Sequence, residues 1–116
     1  MDVSVLVPLY NEAESLPSLH EWIVRVMKEH HFTYEIVFVN DGSTDSTESI
    51  IKEYKDSRIH YFKNKNQGIG KTRNFGISKA TGKYIMFIDS DDFIHKDFYK
   101  ELMNLIEKNA IVYSAR

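Results

Sequence analysis

Apolar residues in this chain fall into short unbroken runs that alternate with stretches of helical spacing. Residues 3–7 (VSVLV) form a β-branched run closed by Pro8, the pattern of a buried strand. Over about 14–30, Leu16, Leu19, Ile23, Val26 and Met27 recur at helical spacing and predict an amphipathic helix. Residues 35–39 (EIVFV) repeat the buried-strand pattern and are halted by Asn40-Asp41-Gly42. Ser43-Thr44-Asp45 then leads into a helix around 46–55, with Ile50, Ile51 and Tyr54 inward and several side chains able to cap its first turn. Residues 59–62 read as a less cleanly alternating strand and 70–79 as a helix despite Gly76, followed by a turn at Thr81-Gly82. A strong strand at 84–88 (YIMFI) stops at Asp89-Ser90-Asp91-Asp92. A last amphipathic helix over 96–108 turns Phe98, Leu102, Leu105 and Ile106 inward, and residues 111–113 begin another strand.

Alternating apolar strands and helices predict an α/β fold with a mainly parallel sheet and helices on both faces. No linker, repeat or low-complexity tract interrupts the 116 residues, so 1–116 is expected to be a portion of one domain. In open α/β sheets ligands bind at the carboxyl ends of the strands. Here those ends read PLYNE, NDGS and DSDD, so acids and amides gather at one edge.

Composition narrows the chemistry. A net charge of -2 argues against a general nucleic-acid binder, which carries a basic surplus. The absence of Cys excludes disulfides, thiolate metal sites and a Cys nucleophile. No apolar stretch approaches the roughly 20 residues that span a bilayer, and the acidic N-terminus is unlike a secretory signal. The expected location is the cytoplasm, at the inner face of a membrane if the chain is one piece of a longer membrane-associated protein.

Asp89-Ser90-Asp91-Asp92 is the sharpest signal. Carboxylates two apart at a strand end can turn toward one point, where they repel unless a cation neutralises them. Hard oxygen ligands suit Mg²⁺ or Mn²⁺, which also take phosphate oxygens; the same residues equally suit a solvated acidic loop capping the next helix. Asp41 with Gly42 is either a ligand-binding acid or ordinary turn chemistry. Asn11 is a candidate cap for the first helix, Tyr10 a ring for stacking on a base, and Glu12 a hydrogen-bond acceptor. The Gly68–Gly76 stretch lacks the glycines of a Walker A loop and of a dinucleotide fingerprint, since positions 65 and 73 are Lys and Arg. What remains there is Arg73, suited to phosphate or base edges, or to a surface ion pair. The five His show no metal-ligand spacing, and no Gly-x-Ser-x-Gly elbow is present.

Taken in order, Pro8 with Tyr10-Asn11-Glu12, Asp41-Gly42-Ser43-Thr44-Asp45, Asn66-Gln67-Gly68 with Arg73-Asn74-Phe75-Gly76, and Asp89-Ser90-Asp91 resemble the nucleotide-sugar half of family 2 glycosyltransferases, which have the GT-A fold. Thr72 stands where that family often has Ala. The resemblance implies a nucleotide-diphospho-sugar donor, with UDP favoured, and a glycan or lipid-linked acceptor in polysaccharide or cell-envelope synthesis. It implies a nucleotide site of Pro8, Tyr10, Glu12, Asp41, Arg73, Asp89 and Ser90, and Mn²⁺ or Mg²⁺ held by Asp91 and Asp89. Family members continue further, so the chain is expected to stop before the acceptor half, to contain no assigned general base and to self-associate through an uncovered sheet edge. A haloacid-dehalogenase-like phosphatase also places Asp-x-Asp after a strand. Here Asp92-Phe93 follows, and no room is left for that family's later Lys and acids.

Overall fold

The computed structural model describes residues 2–11, 13–88 and 112–113. The first apolar run becomes β1 (Val3–Leu9), buried at every position. It leads to α1 (Leu16–Glu29), β2 (Tyr34–Asp41), α2 (Thr47–Glu53), β3 (Ile59–Asn64), α3 (Ile69–Lys79), β4 (Tyr84–Phe87) and β5 (Val112–Tyr113). The five strands form one sheet in the order β3-β2-β1-β4-β5, and every neighbouring pair is parallel. The helix expected over 96–108 lies outside the described residues.

Side-chain alternation in β1 and β2 divides the core into two layers. Val3, Val5, Val7 and Leu9, with Ile36 and Phe38, join Leu16, Leu19, Ile23, Val26 and Met27 of α1 and Ile51 of α2. On the opposite face Leu6, Val37 and Val39 meet Phe75 of α3 with Phe62, Ile85 and Phe87. Helices therefore cover both faces, as the alternation of elements predicts. Such continuous burial is what a parallel sheet requires, because each crossover lays a helix over it.

Two strand ends differ from the sequence reading. Pro8 does not close β1, which continues to Leu9. The Leu6 carbonyl accepts from the Ile88 N–H, so the even residues of β1 turn their backbone groups toward β4. The nitrogen of Pro8 thus faces the side where the β1–β4 pairing has already ended, at Leu6 and Phe87. No ladder bond is lost there. Likewise Asn40 and Asp41 do not halt β2; they are its last two paired residues, opposite Lys63 and Asn64 of β3.

Gly76 lies where α3 crosses β1. A Cβ there would sit 2.2 Å from Leu6 Cδ1, so glycine sets how closely helix and sheet approach. At the amino edge of the sheet, buried Glu35 accepts from the Ser4 hydroxyl at 2.5 Å and the Thr81 N–H at 2.7 Å. His60 Nε2 lies 3.3 Å from its other oxygen. One carboxylate thereby joins β1, β2, β3 and the turn before β4.

Candidate functional site

Strand order reverses between β1 and β4: from β1 the chain builds outward to β3, then returns through α3 to β4 on the other side. In open α/β sheets, ligands bind at the carboxyl edge beside such a reversal. Tyr10 follows β1 there and is 49% exposed, its ring uncovered by the core. β4 delivers Ile88 to the same edge, hydrogen-bonded to Leu6. Asp89, Ser90, Asp91 and Asp92 come next in the chain and, like Glu12, lie outside the described residues.

Asp41 ends β2 on the α3 face and is buried. Its Oδ1 accepts the Gln67 N–H at 2.8 Å, fixing the loop that precedes α3. Gly42 makes this approach possible: its φ is 76°, and a Cβ would stand 2.9 Å from the Asn66 nitrogen. Pro8 is buried and shares the α3 face with Leu6. Arg73 is half-buried in the second turn of α3, which starts from the loop that Asp41 holds. Thr72, the departure from the family pattern, is wholly buried, and its hydroxyl donates to the Gly68 carbonyl at 2.9 Å. Its polar atom is satisfied one turn back, so the helix accepts Thr.

The turns after β1 and β2 are bound to each other. Asn11, with φ 53°, turns its Oδ1 toward the Thr44 N–H at 2.8 Å and the Asp45 N–H at 3.3 Å. Its own N–H donates to Ser43 Oγ at 2.9 Å, and Asp45 Oδ2 accepts the Ala13 N–H at 3.2 Å. This corrects the reading of Asn11 as the cap of the first helix, where Ser15 occupies the N-cap position without a side-chain cap bond. Asn11 caps the neighbouring turn instead. Asp45 Oδ1 accepts the Thr47 N–H at 3.0 Å and so serves the start of α2. The Thr47 hydroxyl is the main cause that holds the Asp45 carboxyl below its ordinary range, with slight desolvation opposing it and the Thr47 and Ala13 amides assisting.

Behind Asp41, buried Asn40 turns to the other face. Its Nδ2 donates to Tyr61 Oη at 2.9 Å and its Oδ1 accepts the Ser43 N–H at 2.9 Å. Tyr61 in turn donates to Glu48 at 3.2 Å. Burial raises the Tyr61 hydroxyl above its usual range, so it remains a donor. Sequence reasoning passed over Asn40 as a strand breaker; its signal was a polar residue directly continuing a buried apolar run. Among the described residues no three His, Asp or Glu converge as a metal site.

Residues 4–116 match the family model described as glycosyl transferase family 2. The chain belongs to that family. It is 38% identical over 114 residues to an uncharacterised glycosyltransferase of Rickettsia bellii, covering 97% of this chain and 16% of that protein. A second uncharacterised glycosyltransferase, from Rickettsia felis, is 42% identical over 115 residues, covering 97% of this chain and 18% of the relative. The crystal structure of S. aureus TarS 1-349 in complex with UDP-GlcNAc superposes with a TM-score of 0.70 at 32% identity, over 93% of this chain and 32% of that one. The chain thus has the expected GT-A architecture and spans less than a third of the length of each of these three proteins.

Proposed function

We propose that this chain binds a nucleotide-diphospho-sugar, a UDP-sugar in preference, as the donor side of a sugar transfer to a glycan or lipid-linked acceptor in polysaccharide or cell-envelope synthesis. The observation that carries this reading is the reversal of strand order beside Tyr10 and Ile88, with buried Asp41 one strand away. The UDP-GlcNAc complex of the structural neighbour supports the donor class.

In this reading Tyr10 stacks on the base, while Glu12 and Asp41 accept from base N–H groups and Pro8 shapes the pocket floor. Arg73 closes over the base or pyrophosphate, and Asp89 and Ser90 hold the ribose side. The carboxylates of Asp91 and Asp89 offer hard oxygen ligands to Mn²⁺ or Mg²⁺. When bound, the cation supplies Lewis-acid stabilisation of the charge that develops on the pyrophosphate leaving group.

Asp91→Asn keeps the size of the side chain and removes the ligand charge. UDP affinity measured by calorimetry with Mn²⁺ is expected to fall at least about tenfold, a difference of roughly 1.4 kcal/mol. Equal affinity in the variant would remove Asp91 from the metal site. A thermal-shift panel of UDP- and GDP-sugars with and without Mn²⁺ tests the donor class.

A second reading, donor binding without transfer, rests on the matched motifs, which account for base, ribose and pyrophosphate and leave no residue assigned as general base. Radiolabelled donor offered to an acceptor library, beside a chain extended to family length, separates the two. Acceptor-dependent product from the 116-residue chain at a comparable rate would reject the second.

A further inference from the structure

Asn11 is left-handed at φ 53°, a conformation that costs most residues free energy and that Asn tolerates comparatively well. That local cost directs its side chain out of its own loop. Oδ1 meets two successive backbone donors of the next turn, Thr44 N–H at 2.8 Å and Asp45 N–H at 3.3 Å. The Asn11 N–H returns the contact to Ser43 Oγ at 2.9 Å, and Asp45 returns another to Ala13 N–H at 3.2 Å. Among the described residues five bonds, three accepted by Asn11 (the third from the Thr44 hydroxyl at 3.4 Å), one donated by Asn11 and one accepted by Asp45, therefore lock the turn carrying Tyr10 to the turn that follows Asp41. Tyr10 is 49% exposed, so among the described residues its place is set chiefly by the backbone beside it. Asp41 is already rigid, held in β2 and by Gln67.

We infer that Asn11 is a positioning residue for the nucleotide: by clasping the Thr44 and Asp45 amides it fixes the distance between Tyr10 and Asp41, and so sets donor affinity through Tyr10. This deepens the proposed donor site and rests on that reading. A side chain that only stabilised the fold would act equally with or without Tyr10. A positioning side chain loses its effect on binding once the residue it positions is removed.

The test uses the 116-residue chain in five forms: unsubstituted, Asn11→Gly, Asn11→Asp, Tyr10→Ala and the Asn11→Gly/Tyr10→Ala double variant. Glycine adopts the same left-handed backbone, so Asn11→Gly removes the clasp alone. UDP titrations with Mn²⁺ are expected to show about a tenfold loss for Asn11→Gly, the effect of one or two hydrogen bonds, and little further loss when it is added to Tyr10→Ala. Hydrogen exchange, which needs no ligand, is expected to quicken at the Thr44 and Asp45 amides of Asn11→Gly while the β1 and β2 amides stay protected. Asn11→Asp keeps an oxygen acceptor and is expected to restore slow exchange. Unchanged exchange in Asn11→Gly, or losses that simply add in the double variant, would overturn the proposal. If the unsubstituted chain fails to bind UDP while the clasp amides are protected, the donor reading falls and this role for Asn11 falls with it. If the unsubstituted chain binds and Asn11→Gly binds as tightly, only the role of Asn11 is lost.

Discussion

With Oδ1 of Asp41 committed to the Gln67 amide at 2.8 Å, two replacements at this position separate fold from binding. Asp41→Ala leaves the Gln67 N–H without its acceptor and is expected to lower stability by about 1 kcal/mol, with a loss of UDP affinity of about 1–3 kcal/mol. Asp41→Asn keeps an oxygen for Gln67 but sets an NH₂ against the N–H of the proposed base, opposing two donors. Urea melts of the Asn variant should stay close to the unsubstituted chain while its UDP titrations weaken; the reverse pattern would make Asp41 a turn residue only. His20 supplies a pH prediction at the same scale. Its ring stacks on Tyr54 at 4.0 Å, and burial lowers its pKa from 6.5, with Asp56 opposing and Arg58 assisting. A depressed His favours the neutral form in the fold. Its contribution is therefore complete above the unfolded value and declines as pH falls from about 6.5 toward the folded one. His20→Phe keeps an aromatic stack, so urea midpoints at about pH 7.5 and about pH 5.5 should differ less in the variant.

Among the elements, α3 depends on one missing methyl group. Gly76→Ala would gain helix propensity of up to about 1 kcal/mol. It would also bring a Cβ to 2.2 Å from Leu6 Cδ1 and 2.9 Å from Leu6 Cγ. Overpacking of this kind costs about 1–3 kcal/mol, so the net change is expected to be destabilising. The double variant Leu6→Ala/Gly76→Ala should then be more stable than the sum of its single changes, a non-additivity read directly from urea midpoints. Simple additivity would mean that α3 shifts away from β1 at no cost.

Across the whole molecule the two sheet edges have separate duties. Glu35 ties the amino edge together through Ser4, Thr81 and His60, while the candidate site occupies the carboxyl edge about six residues, roughly 20 Å, along the strands. Burial alone would raise the Glu35 carboxyl; the Ser4 and Thr81 hydrogen bonds and the His60 charge outweigh it, and the net direction is downward. A lowered carboxyl stabilises the fold above its unfolded pKa and loses that stabilisation as pH falls through the folded one. Glu35→Ala leaves the Ser4 hydroxyl and Thr81 amide without their acceptor and is expected to destabilise by about 2–3 kcal/mol. Its acid unfolding curve should also lose slope below about pH 4.5. UDP affinity of the folded variant should be unchanged, and a large loss would show that the two edges are coupled.

Strand and helix identity was legible because each β-branched run must be buried and each i, i+3, i+4 repeat must face a core. Val3, Ile36 and Leu19 lie inside for that reason, and the helices cover both faces of a parallel sheet accordingly. The edge that carries Tyr10 and Asp41 was legible too, since a parallel sheet brings the carboxyl ends of β1, β2 and β4 to one side. What the sequence could not show is which polar side chain serves which backbone. Asn11 reads locally as a cap for the helix that follows, yet its oxygen lies on Thr44 and Asp45, 33 and 34 residues away. Pro8 reads as a stop and Asn40 as a breaker, yet both lie inside strands, one because its nitrogen faces past the end of β4, the other because Tyr61 and Ser43 satisfy its amide. Hydrophobic burial is written as periodicity along the chain and can be read residue by residue. The partners of a hydrogen bond are chosen only when the sheet has brought distant turns within 3 Å of each other.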